Sequence, residues 1–216
     1  MISQVKLLFL LIGTLCVSFP SSANEAVAPI VISGEIPEDI RSQLPSPPEG
    51  FGWKLYKNAL FLKPSKWNER ERASSDKGIT MTVYAASPEE FSESKQFEMG
   101  ITIQIISDSY KNHGAKAEQV IPIYLKPIVD THKKEDVLMY AKKRIGDFES
   151  TIFRYRDAPA GLTPIIVHKF ILANNTTDSV HIFTYESSEI TWDENWDKYG
   201  TPFLSKVNVI STLPSI

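Results

Sequence analysis

Apolar and polar residues alternate along several stretches of the chain, which is the pattern of strands that bury one face. Residues 79–85 and 101–105 place an aliphatic residue at every second position, with threonine, tyrosine or glutamine between them. Residues 152–155 form a shorter run of isoleucine, phenylalanine, arginine and tyrosine, in which residues that favour strands predominate. The sequence therefore predicts a strand at each of these three places.

Two further pairs of strands are predicted to form β-hairpins, because residues that favour turns separate them. The pairs are 53–56 with 59–62, and 165–172 with 180–185. Lys57 and Asn58 form the first turn, and the short polar side chains of 174–178 favour a tight loop in the second. Together with the strand at 152–155, the second hairpin predicts an antiparallel meander.

Helical spacing and capping residues predict helices between and after these strands. Ser87 and Pro88 begin a short helix, since serine is a favoured N-cap and proline fits the first helical position. A longer helix is predicted after Asp130 or Thr131, with Gly146 near its end. The apolar side of this longer helix comprises Val137, Ala141, Ile145 and Phe148.

The last predicted helix carries a long apolar stripe. The stripe recurs every three or four residues and comprises Trp192, Trp196, Tyr199, Phe203, Val207 and Ile210. Thr191 and Glu194 form a capping box at its start. Gly200 and Pro202 predict a kink or a division into two helices, because proline cannot donate to the carbonyl four residues back. The stretch 115–129, which contains two prolines, gives no clear prediction.

The order of these elements predicts an α+β fold, an antiparallel β-sheet meander with helices packed on it. The dense apolar pattern begins near residue 50, so 50–216 is predicted to form a single domain. Residues 24–49 contain five prolines and little periodicity, which is typical of a flexible, Pro-rich N-terminal arm.

Residues 1–23 have the pattern of a signal peptide. Lys6 precedes an apolar stretch, 7–19, that is shorter than the roughly 20 residues needed to cross a bilayer. Ser21 and Ala23 place small residues where signal peptidase accepts them. Cleavage is therefore predicted between Ala23 and Asn24, and no integral membrane span is predicted in the mature chain.

The single cysteine, Cys16, lies within this signal peptide. A lipidated cysteine would need leucine three residues before it and a small residue directly before it, whereas Gly13 and Leu15 hold those positions. The mature chain would then have no disulfide and no thiolate nucleophile or metal ligand. An exported chain without disulfides indicates a periplasmic or secreted bacterial protein.

Composition excludes several classes of protein. The chain has 216 residues, 42% hydrophobic content and a formal net charge of −3. These values exclude a disordered chain and a polytopic membrane protein, and they indicate no general attraction to nucleic acid. Nucleic acid is therefore not a predicted partner.

The histidines do not have the spacing of a metal site. They are His113, His132, His168 and His181. No two are four residues apart, and the chain has no HExxH motif and no cysteine pair. A loop centred on Thr176 pairs His168 near Thr184 and His181 near Ile171. One hydrogen-bonded and one solvated histidine is therefore favoured over a joint metal or proton-transfer role.

Other candidate chemistry has a simpler structural interpretation. An acidic cluster comprises Glu186, Glu189, Asp193, Glu194 and Asp197. Two of these carboxylates could form a glycosidase pair, but acids in a first helical turn are explained by capping. The aromatic stripe could form a surface that binds a ligand, but its helical spacing favours burial in the core. A basic set, interrupted by acids and thus typical of a solvated surface, comprises Lys133, Lys134, Lys142, Lys143 and Arg144.

The chain contains no GxSxG or SxxK motif and no glycine-rich phosphate loop. No catalytic, cofactor-binding or metal-binding residue is therefore predicted, and no cofactor. The sequence predicts that the protein is not an enzyme.

The order of elements and the aromatic positions resemble the PsbP/DcrB/Mog1-like superfamily. The markers are Gly52-Trp53, Tyr56, Phe61, Pro64, Trp67, Gly78, Gly100-Ile101-Thr102-Ile103, Phe183-Thr184-Tyr185-Glu186-Ser187, Trp192 and Trp196. The resemblance covers most of 51–212, with 109–129 as an insertion. It implies an α/β/α sandwich and a non-catalytic binding or assembly module, and it transfers no binding residues.

Two functions remain open. The first is an exported, periplasmic module that binds or assembles another exported or envelope protein through a sheet edge, the 109–129 segment or the N-terminal arm. The alternative is a carrier of a small ligand, held in a cleft between the sheet and the helices. A hydrolase that uses the acidic cluster is a third, less favoured hypothesis.

Overall fold

The computed structural model describes residues 35–74, 77–92 and 97–210. The predicted signal peptide, its cleavage site, Cys16 and the first part of the predicted arm, 24–34, lie outside the described residues. Within these ranges no helix has both the length and the apolar character that a bilayer span requires.

The described residues form two antiparallel sheets. The strands are β1 (Phe51–Tyr56), β2 (Ala59–Pro64), β3 (Asn68–Ser74), β4 (Ile79–Ala85), β5 (Gly100–Ile106), β6 (Val137–Ile145), β7 (Phe148–Asp157), β8 (Ile165–Asn174), β9 (Ser179–Ser188) and β10 (Asn208–Val209). The larger sheet has the order β3-β4-β5-β9-β8-β7-β6, and the smaller sheet has the order β1-β2-β10.

The helices are short apart from one. They are α1 (Glu38–Arg41), α2 (Ser109–His113), α3 (Ala117–Thr131), α4 (Trp192–Asn195) and α5 (Thr201–Ser205). A π-helical turn, Trp196–Gly200, joins α4 to α5. Single 3₁₀ turns occur at Pro88–Phe91, Lys134–Asp136 and Glu189–Thr191. Residues 189–205 are called the C-terminal helical segment below.

Both faces of the larger sheet are covered. One face packs against α3, whose Val120, Ile121 and Leu125 are buried against aliphatic side chains of the sheet. The other face packs against the smaller sheet and the C-terminal helical segment. There the ring of Phe61 lies 5.7 Å from that of Tyr84 and 5.9 Å from that of Phe203. The predicted α+β class, an antiparallel sheet with helices packed on it, is confirmed.

Both predicted hairpins are present as β1–β2 and β8–β9. Lys57 in the first turn has a positive φ of 54°. In the second hairpin Asn174 pairs with Ser179, so the register differs by one residue from a loop centred on Thr176. His168 therefore pairs with Tyr185, and His181 with Leu172.

The predicted helix after residue 131 is wrong. Residues 137–157 form the β6–β7 hairpin, and Gly146 lies in its turn with a φ of 55°. Glycine suits this left-handed conformation both in hairpin turns and at the ends of helices, so it did not discriminate between them. Because β6 is exposed on both faces along most of its length, it lacks the alternation that identifies a half-buried strand.

The stretch 115–129, which gave no clear prediction, is helical, because most of it belongs to α3. Pro122 and Pro127 both lie inside α3 on its exposed side. The residues interpreted as an insertion therefore include a core helix of the fold.

The helices predicted to begin at Ser87 and after Thr191 are present in modified form. The first is a 3₁₀ turn in which the Ser87 side chain caps no backbone amide. In the second, Thr191 makes no capping bond either, and its Oγ1 accepts a hydrogen bond from Asn195 Nδ2 at 2.8 Å. Helical structure ends at Ser205, and the last two stripe residues, Val207 and Ile210, flank β10, which pairs with β2.

The described part of the N-terminal arm, 35–49, contacts the domain. It contains α1, and the Trp53 indole nitrogen in β1 donates a hydrogen bond to the Pro45 carbonyl at 2.8 Å. The flexibility of the arm stays a prediction.

Candidate functional site

Strand β6 is a free edge of the larger sheet, because among the described residues it pairs with β7 alone. Its exposed large hydrophobic residues are Leu138, Met139, Tyr140 and Ile145. The opposite edge strand, β3, alternates acidic and basic residues at 69–71. Charged side chains discourage pairing with another chain. The edge that offers apolar contacts to another chain is therefore β6.

An open groove of about 390 Å³ lies at the Val137 end of β6. It runs between the strands and the first turns of the C-terminal helical segment. Its lining residues are Leu138, Arg154, Ile166, Glu189, Ile190, Thr191, Trp192, Asp193 and Glu194. Ile190 is 85% exposed at its rim, so the groove offers apolar surface directly to solvent.

Arg154 of β7 lies half-buried in this groove. Its guanidinium carbon is 4.4 Å from the ring centroid of Trp196 and 5.0 Å from that of Trp192. Its Nε donates a hydrogen bond to His168 Nδ1 at 2.9 Å. Stacking on two indole rings and one directed hydrogen bond fix the plane of the guanidinium group.

His168 is buried beside Arg154, and its imidazole is neutral. Burial, with a smaller effect of the Arg154 charge, lowers its pKa to about 3. Because Nδ1 accepts the hydrogen bond from Arg154, the ring proton resides on Nε2. His181 lies four residue pairs away along the β8–β9 hairpin. Its Nε2 is 2.8 Å from Asn58 Oδ1, so the two histidines do not share a site.

The π-helical turn positions the stacked indole rings of Trp192 and Trp196. Trp192 and Trp196 stack with ring centroids 5.2 Å apart and planes inclined by 23°. A Cβ atom added to Gly200 would lie 2.5 Å from the Trp196 ring and 3.0 Å from Tyr185. Glycine at this position therefore lets the Trp196 ring approach the helix backbone.

The aromatic stripe contributes both to the core and to the groove. Trp192 and Phe203 are buried, whereas Trp196 and Tyr199 are partly exposed. Trp192 and Phe203 are therefore core residues, and Trp196 and Tyr199 pack against that core. Trp192 and Trp196 also stack against the Arg154 guanidinium group, so their rings hold a positively charged group in place.

Arg156, two residues along the same strand, differs from Arg154 in its partners. Arg156 Nε donates to Glu189 Oε1 at 2.8 Å, and its Nη1 lies 3.7 Å from Asp136 Oδ1. Two carboxylates therefore neutralise Arg156, whereas within 35–74, 77–92 and 97–210 no carboxylate lies within 4 Å of Arg154.

The predicted acidic cluster is divided between the two faces of the sheet. Glu189, Asp193 and Glu194 line the groove, and Asp197 is exposed on the π-helical turn. Glu186 pairs with Val167 on the face that packs against α3. Burial raises the pKa of Glu186 to about 7, against the opposing effect of the Lys169 charge.

The remaining candidates lie apart from the groove. His113 Nε2 is 3.1 Å from the Lys77 carbonyl, and His132 Nε2 is 3.6 Å from Asp157 Oδ1. The basic set lies on β6 and before it, where Lys142 pairs with Glu149 and Arg144 with Glu118. Across the part of the chain that the structure describes, no three His, Asp, Glu or Cys side chains are placed to hold a metal ion.

Four residues of the groove were not singled out by the sequence analysis. They are Leu138, Arg154, Ile166 and Ile190. The sequence does contain a signal for Arg154. Phe153 and Tyr155 lie on one face of the strand, so Arg154 between them lies on the opposite face, which is also covered in the fold.

Comparison with known proteins gives a likeness of fold. No family model and no curated protein matches the chain. The similar solved structures include cyanobacterial PsbP (CyanoP) from Synechocystis sp. PCC 6803, with a TM-score of 0.44 and 13% identity over 71% of this chain and 87% of that one. They also include the Ran-binding protein Mog1p of Saccharomyces cerevisiae, with a TM-score of 0.40 and 9% identity over 72% and 92%.

A third similar structure, from Bacteroides thetaiotaomicron VPI-5482, has a TM-score of 0.39 and 13% identity over 70% of this chain and 45% of that chain. PsbP and Mog1p also belong to the superfamily that the sequence resembles. At these levels of similarity the likeness concerns the fold alone.

Proposed function

We propose that the protein is an exported, non-catalytic module that binds an extended segment of another exported or envelope protein along β6. The observation that carries the proposal is the free edge of β6 with its row of exposed apolar side chains. The outward main-chain groups of an edge strand can pair with an added strand, and alternate side chains then give specificity.

The shape and charge of β6 suit a segment of defined direction. The strand is nine residues long, and the groove with Asp193 and Glu194 lies at its start. Lys142, Lys143 and Arg144 lie towards its other end. Lys142 and Arg144 are paired with Glu149 and Glu118, which leaves Lys143 as the basic side chain that a bound segment would meet there. The two ends of β6 therefore differ in the groups that they offer, which favours one set of partners.

The alternative of a small-ligand carrier, in a cleft between sheet and helices, is supported by this groove. A second open groove, of about 470 Å³, lies between the described part of the arm and β1. Between the larger sheet and α3, and between the sheet and the C-terminal helical segment, buried side chains fill the interface. The place left for a small ligand between sheet and helices is the open groove beside Arg154. The groove adjoins Leu138 of β6, so we regard it as part of the same binding surface.

A photo-reactive amino acid at Tyr140 should cross-link a discrete partner in cells that produce the protein. Tyr140 is 61% exposed on β6, and the same probe at Tyr110, 67% exposed on α2, should give no discrete adduct. Mass spectrometry of the adduct should map the cross-link to one short extended segment. A partner attached equally well from both positions would argue against binding along β6.

The adduct should also depend on an apolar β6 surface. Leu138→Glu should abolish the cross-linked adduct, because it replaces an apolar side chain of β6 with a carboxylate in the groove that Asp193 and Glu194 also line. Val129→Glu is the matched control, since Leu138 and Val129 are both 49% exposed and only Leu138 lies on β6.

Export is tested on the purified protein itself. N-terminal sequencing of the form recovered from the periplasm or the medium should begin at Asn24, because Ser21 and Ala23 form the predicted cleavage site. A sequence that begins at Met1, or a blocked terminus at Cys16, would contradict the predicted cleavage and the argument against lipidation.

A further inference from the structure

The guanidinium group of Arg154 has unused hydrogen-bonding capacity. Its Nε is occupied by His168, and no described residue accepts a hydrogen bond from its two Nη groups. The side chain is half-buried, and burial lowers its pKa against the opposing effect of the Asp193 charge. A partly desolvated cation without an anionic partner is unfavourable, and buried charges in proteins are normally paired.

We propose that Arg154 binds the C-terminal carboxylate of the segment that lies along β6. This inference rests on the proposed function, because it assigns one end of that segment. The two Nη groups lie on the planar fork that matches the two oxygens of a carboxylate. Stacking on Trp192 and Trp196 and the bond to His168 hold the fork in place before the ligand arrives.

The walls of the groove indicate what the carboxylate is attached to. Leu138, Ile166 and Ile190 are apolar and line the same groove as Arg154. They can contact the last side chain of the segment, which should therefore be apolar. Asp193 and Glu194 line the same groove and would repel a dianion more than a single carboxylate. This charge pattern disfavours phosphate as the ligand.

The position of the groove sets the direction of the segment. Leu138 belongs both to β6 and to the groove, at the start of the strand. A segment that ends there must run from the Ile145 end of β6 to its Val137 end, antiparallel to β6. Its terminal carboxylate then crosses the edge towards β7, where Met139 of β6 pairs with Arg154.

The test uses a minimal probe, the tripeptide acetyl-Ala-Ala-Leu with a free carboxylate, and the same tripeptide with a C-terminal amide. Binding is followed in ¹⁵N-labelled protein through the Arg154 Nε–H signal and the indole N–H signals of Trp192 and Trp196. The free acid should shift these signals and bind about tenfold or more tightly than the amide, because the charge-assisted bidentate contact is lost in the amide.

Variants assign the effect to Arg154. Arg154→Gln should reduce the affinity for the free acid to that of the amide, and Arg154→Lys should restore it only in part because lysine lacks the planar fork. Arg70→Gln is the control and should bind as wild type, since Arg70 is exposed on β3 at the opposite edge of the larger sheet and donates to the Phe91 carbonyl. Thermal denaturation of each variant should confirm that it is folded.

Several outcomes would overturn the inference. They are equal affinity for acid and amide, unchanged affinity in Arg154→Gln, tighter binding of inorganic phosphate than of the free acid, and no shift with either tripeptide. In each case the cross-link from position 140 still decides the proposed function, because that probe lies on β6 outside the groove. An internal segment bound along β6 would give the cross-link without the preference for a free carboxylate.

Discussion

Trp196→Ala should lower the free energy of unfolding by about 3 kcal/mol, near the lower end of the range for removing a buried tryptophan. The ring is partly exposed, but it contacts Trp192, Tyr185 and the His168 imidazole, whose centroid is 4.7 Å away. The Trp196 ring also stacks against the Arg154 guanidinium group. Alanine would leave a cavity between the π-helical turn and the sheet.

Chemical denaturation of the variant measures this loss, and Tyr110→Ala serves as the control because Tyr110 is 67% exposed. The control should change the free energy of unfolding by less than about 0.5 kcal/mol. In Trp196→Ala the pKa of His168 should also rise from about 3, since removal of the ring admits water beside the imidazole. A variant that melts like wild type would show that Trp196 serves the groove without supporting the core.

The two hairpins could be predicted because their local signals agree. In β8–β9 the strands are buried on both faces and rich in aliphatic and aromatic residues, and a polar loop separates them. The one-residue error in register arose because the centre of a five-residue loop is not determined by composition. Asn174 Oδ1 accepts bonds from the amides of Thr176 and Thr177, and this local geometry fixes the turn.

The β6–β7 hairpin could not be predicted from periodicity. A strand that is half-buried alternates, but β6 lies at an edge and is exposed on both faces, so no alternation is required. Its apolar residues then matched a helical spacing by chance. The property that hid β6 from the sequence analysis is the same exposure that makes it the candidate binding edge.

Helix α3 was missed for the opposite reason. Its buried residues Val120, Ile121, Leu125 and Ile128 follow helical spacing, but Pro122 and Pro127 argue against a helix. Both prolines lie on the exposed side, where water can satisfy the carbonyl groups that lose a partner. The groove itself depends on residues from β6, β7 and the helical segment, which only the tertiary fold brings together.

Glu186→Gln should make the protein more sensitive to acid. The pKa of Glu186 is raised to about 7, so between pH 4.5 and 7 the native state binds a proton more tightly than the unfolded chain. Lowering the pH through this window therefore stabilises the native state, by about 2 to 3 kcal/mol. His168 and His181 act in the opposite direction, because burial lowers their pKa values to about 3 and about 4.

The unfolded chain protonates both histidines near pH 6.5, whereas the native state keeps them neutral, so their contribution to stability is lost as the pH falls below 6.5. Between pH 7 and 4.5 this loss amounts to about 5 kcal/mol for the pair. In wild type the protonation of Glu186 offsets about half of it. Glutamine cannot take up the proton, so the variant should lose about 2 to 3 kcal/mol more than wild type over the same range.

Urea denaturation at pH 7 and pH 4.5 measures the difference directly, and contributions from other groups cancel between the two proteins. One of these groups is His132, whose pKa is raised first by its interaction with Asp157. The stability that His132 contributes therefore decreases as the pH rises above 6.5. Glu135→Gln is the matched control, because its side chain is 73% exposed, and it should follow the wild-type pH dependence. If Glu186→Gln also followed wild type, Glu186 would be ionised in the native state at pH 4.5, and its burial between β8 and β5 would not raise its pKa.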